Sequence, residues 1–144
     1  MIRVLLDTNI YDKLAVDRAT INTIAEKIAQ GLLEVVVSPI IMGELKESHF
    51  QGMPTFFPVT NITEGVAVAG YAIVGLARPS EGVVYNAHRG DSKKAKDAII
   101  AETADSDCDL LVSEDKRCRI RLSTHATKCK AVDFQHFKEL LRTL

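Results

Sequence analysis

The chain has 144 residues, with 18 Lys and Arg against 19 Asp and Glu, a formal net charge of -1 at pH 7, 47% hydrophobic residues and 6% aromatic ones. These proportions exclude a disordered or collagen-like chain and fit one ordinary globular domain over residues 1-144, long enough to bury roughly two thirds of its unfolded surface without a metal or disulfide staple. Near neutrality also means that the molecule as a whole does not attract nucleic acid, so any such role must rest on a local basic patch.

The run Ile2 to Leu6 (IRVLL) is short, branched and apolar and stops at Asp7, which predicts a buried strand. It is too short for a secretory signal, whose apolar core needs ~7–15 residues, so a cytoplasmic location is expected. From Ala19 to Gln30, the residues Ile21, Ile24, Ala25 and Ile28 recur on one helical face, and Gly31 is a natural stop. Val35 to Val37 predicts a second strand ending at Ser38 and Pro39, followed by a helix in which Glu44 stands about one and a half turns from the start.

Gln51 to Thr63, with Pro54, Pro58, Phe56 and Phe57, fits neither period and reads as a loop. Glu64 to Ala77 contains the longest apolar stretch and reads as a helix packed through small residues, with a buried strand as the alternative. That stretch is shorter than the ~20 residues that cross a bilayer and is interrupted by Gly70 and Gly75, so no membrane span is expected. Arg78 to Gly90 reads as a loop. Asp97 falls early in a helix whose narrow apolar face is Ile100, Ala101 and Ala104.

Asp109 to Ser113 (DLLVS) and Lys130 to Phe134 (KAVDF) predict two more strands, separated by a basic helical segment from Lys116 to His125, and Phe134 to Leu144 closes the chain as a helix. Cys108, Cys118 and Cys129 are odd in number and widely spaced, which argues against zinc and disulfides. Alternation of strand and helix predicts an α/β fold with a parallel sheet covered on both faces.

Ligands of parallel sheets collect beyond the carboxyl ends of the strands. Asp7 ends the first strand, Asp115 follows the DLLVS strand in the run SED, and Glu44 and Asp97 lie on helices that can reach the same rim. Clustered ionised acids repel one another unless a cation compensates them, and oxygen ligands without His or Cys favour hard ions such as Mg2+ or Mn2+. The chemistry that matches is phosphodiester hydrolysis by metal-activated water. Each acid also has a plainer reading: Asp7 and Asp115 can cap the helices that follow them, Glu44 and its neighbour Glu47 can lie on a solvated face, and Asp97 can pair with Lys93.

Taken together, LLDTN around Asp7, SPIIMGEL around Glu44, DAIIAETA from Asp97 and LLVSED ending at Asp115 make the chain resemble the PIN-domain family over nearly its whole length. The resemblance implies a three-layer α/β/α sandwich with a central parallel sheet of about five strands in the order 3-2-1-4-5, and metal-dependent ribonuclease activity with one or two Mg2+ or Mn2+ ions. It makes Asp7, Glu44, Asp97 and Asp115 the catalytic, metal-binding quartet. Asn9 and Ser113 would orient ligands or waters, Ser113 standing where Thr is more usual, and Glu114 competes with Asp115 for the fourth place. Small single-domain members are often toxins of toxin–antitoxin pairs, so an antitoxin protein is an expected partner. Residues 51–90 match nothing in the family pattern.

Lys93, Lys94 and Lys96 crowd the first turn of the Asp97 helix, where the helix dipole disfavours positive charge. With Arg89 before them, and with Lys116 and Arg117 directly after Asp115, they are candidates for holding an RNA backbone; local pairing and solvation are the alternative. The expected protein is a homodimeric endoribonuclease acting on single-stranded or structured RNA. A catalytically inactive PIN-like metal- or RNA-binding module is the second reading, and a phosphoryl-chemistry regulator of flavodoxin-like shape is a third.

Overall fold

A computed structural model of the chain describes residues 1–62, 92–125 and 128–144, with side chains described throughout these except at 92–98 and 125. Its centre is β1 (Ile2–Leu6), in which Val4, Leu5 and Leu6 are fully buried. A strand covered on both faces must be apolar at successive positions, which is why this segment reads as a run and not as an alternation. Val4 lies opposite Val35 of β2 (Leu33–Val37) on one side and Leu110 of β4 (Leu110–Val112) on the other. Beyond β2 lies β3 (Thr60–Asn61), and beyond β4 lies β5 (Lys130–Val132). All pairings are parallel, and the five-stranded sheet has the order β3-β2-β1-β4-β5.

Six helices are described: α1 (Thr8–Ala15), α2 (Arg18–Ala29), α3 (Pro39–Glu47), α4 (Ser92–Asp107), α5 (Lys116–His125) and α6 (Phe134–Thr143). Their starts are chemically marked. The side chains of Asp17, Ser38 and Asp133 accept the backbone N–H of Thr20, Ile41 and His136, and Pro39 opens α3 where a missing N–H is harmless. The chain winds outward from β1 to β2 and β3, then returns to β4 and β5 on the other side. Right-handed crossovers therefore place the outward and return helices on opposite faces. In agreement, α2 packs on β2 and against α6, while α4 packs on β1 and β4 and against α5. The result is a three-layer α/β/α fold with its core of Val, Leu and Ile side chains on both sides of β1.

Three elements depart from the sequence reading. β3 falls inside the segment read as a loop, and its two exposed residues are a strand only because Val36 and Val37 lie beside them. α1 is a separate eight-residue helix that buries Ile10, Tyr11 and Leu14, too short to announce itself by periodicity. The last strand is also shorter than expected, since Asp133 leaves it to cap α6 and Phe134 begins that helix. The expected helix Glu64 to Ala77, the loop Arg78 to Gly90 and Arg89 within it lie outside the described residues.

Candidate active site

The reversal of winding direction falls between β1 and β4, so a crevice is expected where their carboxyl ends meet. Asp7 and Ser113 are the residues that follow these two strands. The Asp7 N–H donates to the Val112 carbonyl at 2.9 Å and the Ser113 N–H to the Val132 carbonyl at 3.0 Å, which locks both backbones at the sheet rim. Asp7 is 7% exposed. Its Oδ1 accepts the Thr8 N–H at 2.8 Å, capping α1, and its Oδ2 accepts the Ser113 hydroxyl at 2.7 Å and, at a longer 3.4 Å, the Asn9 amide. Burial pushes the Asp7 carboxyl above the usual carboxylate range; the bonds from Ser113, Thr8 and Asn9 oppose that rise, and the nearby charge of Asp115 adds to it.

The neighbouring groups are tied to this carboxylate through single intermediates. The Thr8 hydroxyl donates to Glu44 Oε1 at 2.8 Å, so one residue links Asp7 to the acid on α3. Ser113 Oγ accepts the Asp115 N–H at 3.1 Å, and Asn9 Oδ1 accepts the Glu114 N–H at 3.2 Å, so the same two side chains that contact Asp7 also hold the loop after β4. Asp115 Oδ1 accepts the Arg117 N–H at 2.8 Å and caps α5. The caps foreseen for Asp7 and Asp115 are therefore both present, and each engages Oδ1 of its carboxylate.

Glu114 turns elsewhere: its Oε1 accepts the Phe134 N–H at the start of α6 at 2.8 Å, and its Oε2 lies 3.9 Å from the Lys13 ammonium. Of the expected site residues, Asp7, Asn9, Glu44, Ser113 and Asp115 thus form one hydrogen-bonded group. Lys116 and Arg117 are exposed in the first turn of α5 beside it. Asp97, Lys93, Lys94 and Lys96 are on α4, which packs against β1 and β4, but their side chains are among those not described. One contributor went unread in sequence: Thr8, the bridging hydroxyl, which stands in the DTN run beside Asp7. Arg119, in the basic run that follows Asp115, donates through Nη1 to the Ser113 carbonyl at 2.7 Å.

Among the described residues no three His, Cys, Asp or Glu side chains come together as a metal site, a set that does not include Asp97. The donor chemistry nevertheless suits a hard cation. Among the described residues the groups bonded to the Asp7 carboxylate are the Ser113 hydroxyl, the Thr8 N–H and the Asn9 amide, and the carboxylates of Asp7 and Asp115 repel each other in the absence of a positive charge. Comparison of the chain with protein-family models, with curated proteins and with solved structures returned no match.

Proposed function

We propose that the protein is a metal-dependent endoribonuclease of the PIN type. The observation that carries this reading is the buried Asp7 carboxylate at the reversal point of the sheet, raised by burial and by the charge of Asp115, and linked through Thr8 to Glu44. A site that gathers several acids at one rim is suited to one or two Mg2+ or Mn2+ ions, held by Asp7, Glu44, Asp97 and Asp115. When bound, such an ion supplies an activated water and neutralises charge at the scissile phosphate.

The chain's own contributions follow from its bonds. Ser113 and Asn9 fix the Asp7 carboxylate and, through the backbone of Asp115 and Glu114, hold the second acid at a constant separation from it. Thr8 orients Glu44. Arg89, Lys93, Lys94, Lys96, Lys116 and Arg117 would attract the RNA backbone, which a chain of net charge -1 does not do as a whole. No described helix is long and apolar enough to cross a membrane. A cytoplasmic toxin, homodimeric and inhibited by a small antitoxin protein in its cleft, is the setting this reading favours.

The deciding experiment is cleavage of a mixed single-stranded RNA by the purified chain with Mn2+, with EDTA and by Asp7→Asn. The expected result is cutting that needs Mn2+ and is lost in the variant; cutting that survives EDTA would refute the proposal. The capping bonds made by Asp7 and Asp115 favour one second reading, an inactive binding module, which would bind Mn2+ and RNA without turnover.

A further inference from the structure

Beside the edge strand β5, a groove of about 490 Å³ runs between α5 and α6, within the range typical of small-molecule sites. Arg119, Ile120 and Ser123 of α5 form one wall, Asp133 and His136 at the start of α6 form the other, and Ala131 and Val132 of β5 lie between. Arg119 joins the groove to the candidate active site, because its Nη1 holds the carbonyl of Ser113, whose hydroxyl contacts Asp7. Its guanidinium has further N–H groups in the same plane. Ile120 on the groove wall is 54% exposed and so offers an apolar surface to whatever enters.

The polar equipment is mixed. Asp133 Oδ1 accepts both the His136 N–H at 2.8 Å and the His136 ring at 2.6 Å, and among the described residues its Oδ2 accepts nothing. An apolar floor, a guanidinium and a carboxylate oxygen correspond to the parts of a ribonucleotide: base face, phosphate and 2′-hydroxyl. A protein strand added to β5 is the other conceivable occupant, but β5 has three residues and begins with the exposed Lys130, a charge that discourages strand addition.

We propose that this groove is a subsite for one ribonucleotide of the RNA strand, flanking the scissile bond, with its phosphate on Arg119, its base on Ile120 and the apolar floor, and its 2′-hydroxyl on Asp133. The subsite rests on the ribonuclease reading for its substrate class, and binding is measured without metal so that the two can fail separately.

The test measures the affinity of a labelled mixed-sequence single-stranded RNA, and of its DNA counterpart, in EDTA. Ser123→Glu and Ile120→Glu alter exposed side chains that close the groove, Asn22→Glu on α2 matches their charge change on another layer, and Asp133→Asn retains a helix-capping side chain. The expected result is RNA binding about tenfold weaker for Ser123→Glu and Ile120→Glu than for Asn22→Glu, and a reduced preference for RNA over DNA in Asp133→Asn. RNA affinity equal to that of Asn22→Glu in both groove variants, as expected if the groove seats a protein strand, would overturn the subsite, and so would a wild-type chain that binds no RNA. If the variants lose RNA while wild type with Mn2+ cuts nothing, the groove stands as a ribonucleotide-binding site with no scissile bond beside it and the ribonuclease reading falls; if wild type cuts and the variants bind like the control, the ribonuclease reading stands and the groove falls.

Discussion

Asp7→Asn is expected to stabilise the metal-free protein while removing the proposed RNA cleavage. Asp7 is 7% exposed, and burial outweighs its hydrogen bonds, so its carboxyl is raised in the folded state. An acid raised by folding holds its proton more tightly in the native than in the unfolded chain. Its contribution to stability therefore declines as pH rises from about 3.9, the unfolded value, through the folded one, and stays lower at neutral pH. Asn can still accept the Thr8 N–H and can donate to the Ser113 hydroxyl oxygen; the losses are the acceptor of the Ser113 proton and the long 3.4 Å contact with the Asn9 amide, which turns unfavourable. Relief of the buried charge should then exceed the loss and leave a gain of about 1–2 kcal/mol at pH 7, or about 4–6 °C in Tm for a chain of this length. The gain should vanish as pH falls towards ~4. Urea and thermal unfolding in EDTA, followed by circular dichroism, measure it. On the proposed metal-binding reading, Mn2+ at ~100 times its Kd would add ~2.7 kcal/mol to wild type and much less to the variant, reversing their order. If Asp7→Asn is instead the less stable protein by more than ~1 kcal/mol in EDTA at pH 7, the hydrogen bonds dominate burial and the reasoning is refuted.

Glu114→Ala should cost about 1–2 kcal/mol, because it strands the Phe134 N–H that Glu114 accepts, and should weaken Mn2+ binding by loosening the loop that carries Asp115. Glu114→Gln retains an acceptor and should lose much less, since the 3.9 Å approach of Lys13 is a partly exposed pair; equal losses in thermal unfolding and Mn2+ titration would contradict this assignment. Asp17→Ala should cost about 1 kcal/mol at pH 7 through the lost cap on Thr20. The Thr20 hydroxyl and N–H, with help from Lys138, hold the Asp17 carboxyl below its ordinary value, so that contribution is complete above pH ~3.9 and is lost as pH falls through the folded value; urea midpoints of both proteins should converge in strong acid.

Much of the architecture was legible because a strand must be apolar at successive positions wherever both of its faces are covered. VLL in β1, VVV in β2 and LLV in β4 announce themselves, and each is followed by a polar residue that leaves the sheet: Asp7, Ser38 and Ser113. The same logic placed Asp7 and Asp115 at the rim from sequence alone. It failed for β3, whose Thr60 and Asn61 have no pattern and become a strand only through pairing with Val36 and Val37. The capping roles of Asp7 and Asp115 were also readable, since a cap concerns residues one to three positions away.

What the sequence by itself determined, then, is whatever follows from neighbours along the chain: the elements, their alternation and the acids at their ends. Which groups meet was decided by the tertiary structure. Ser113 reaches Asp7 across 106 residues, Thr8 reaches Glu44 across 36, and Glu114 turns to the N–H of Phe134 instead of joining Asp115. Periodicity and capping act within a turn or two of backbone, whereas these contacts exist only because the sheet sets the ends of β2, β1, β4 and β5 side by side.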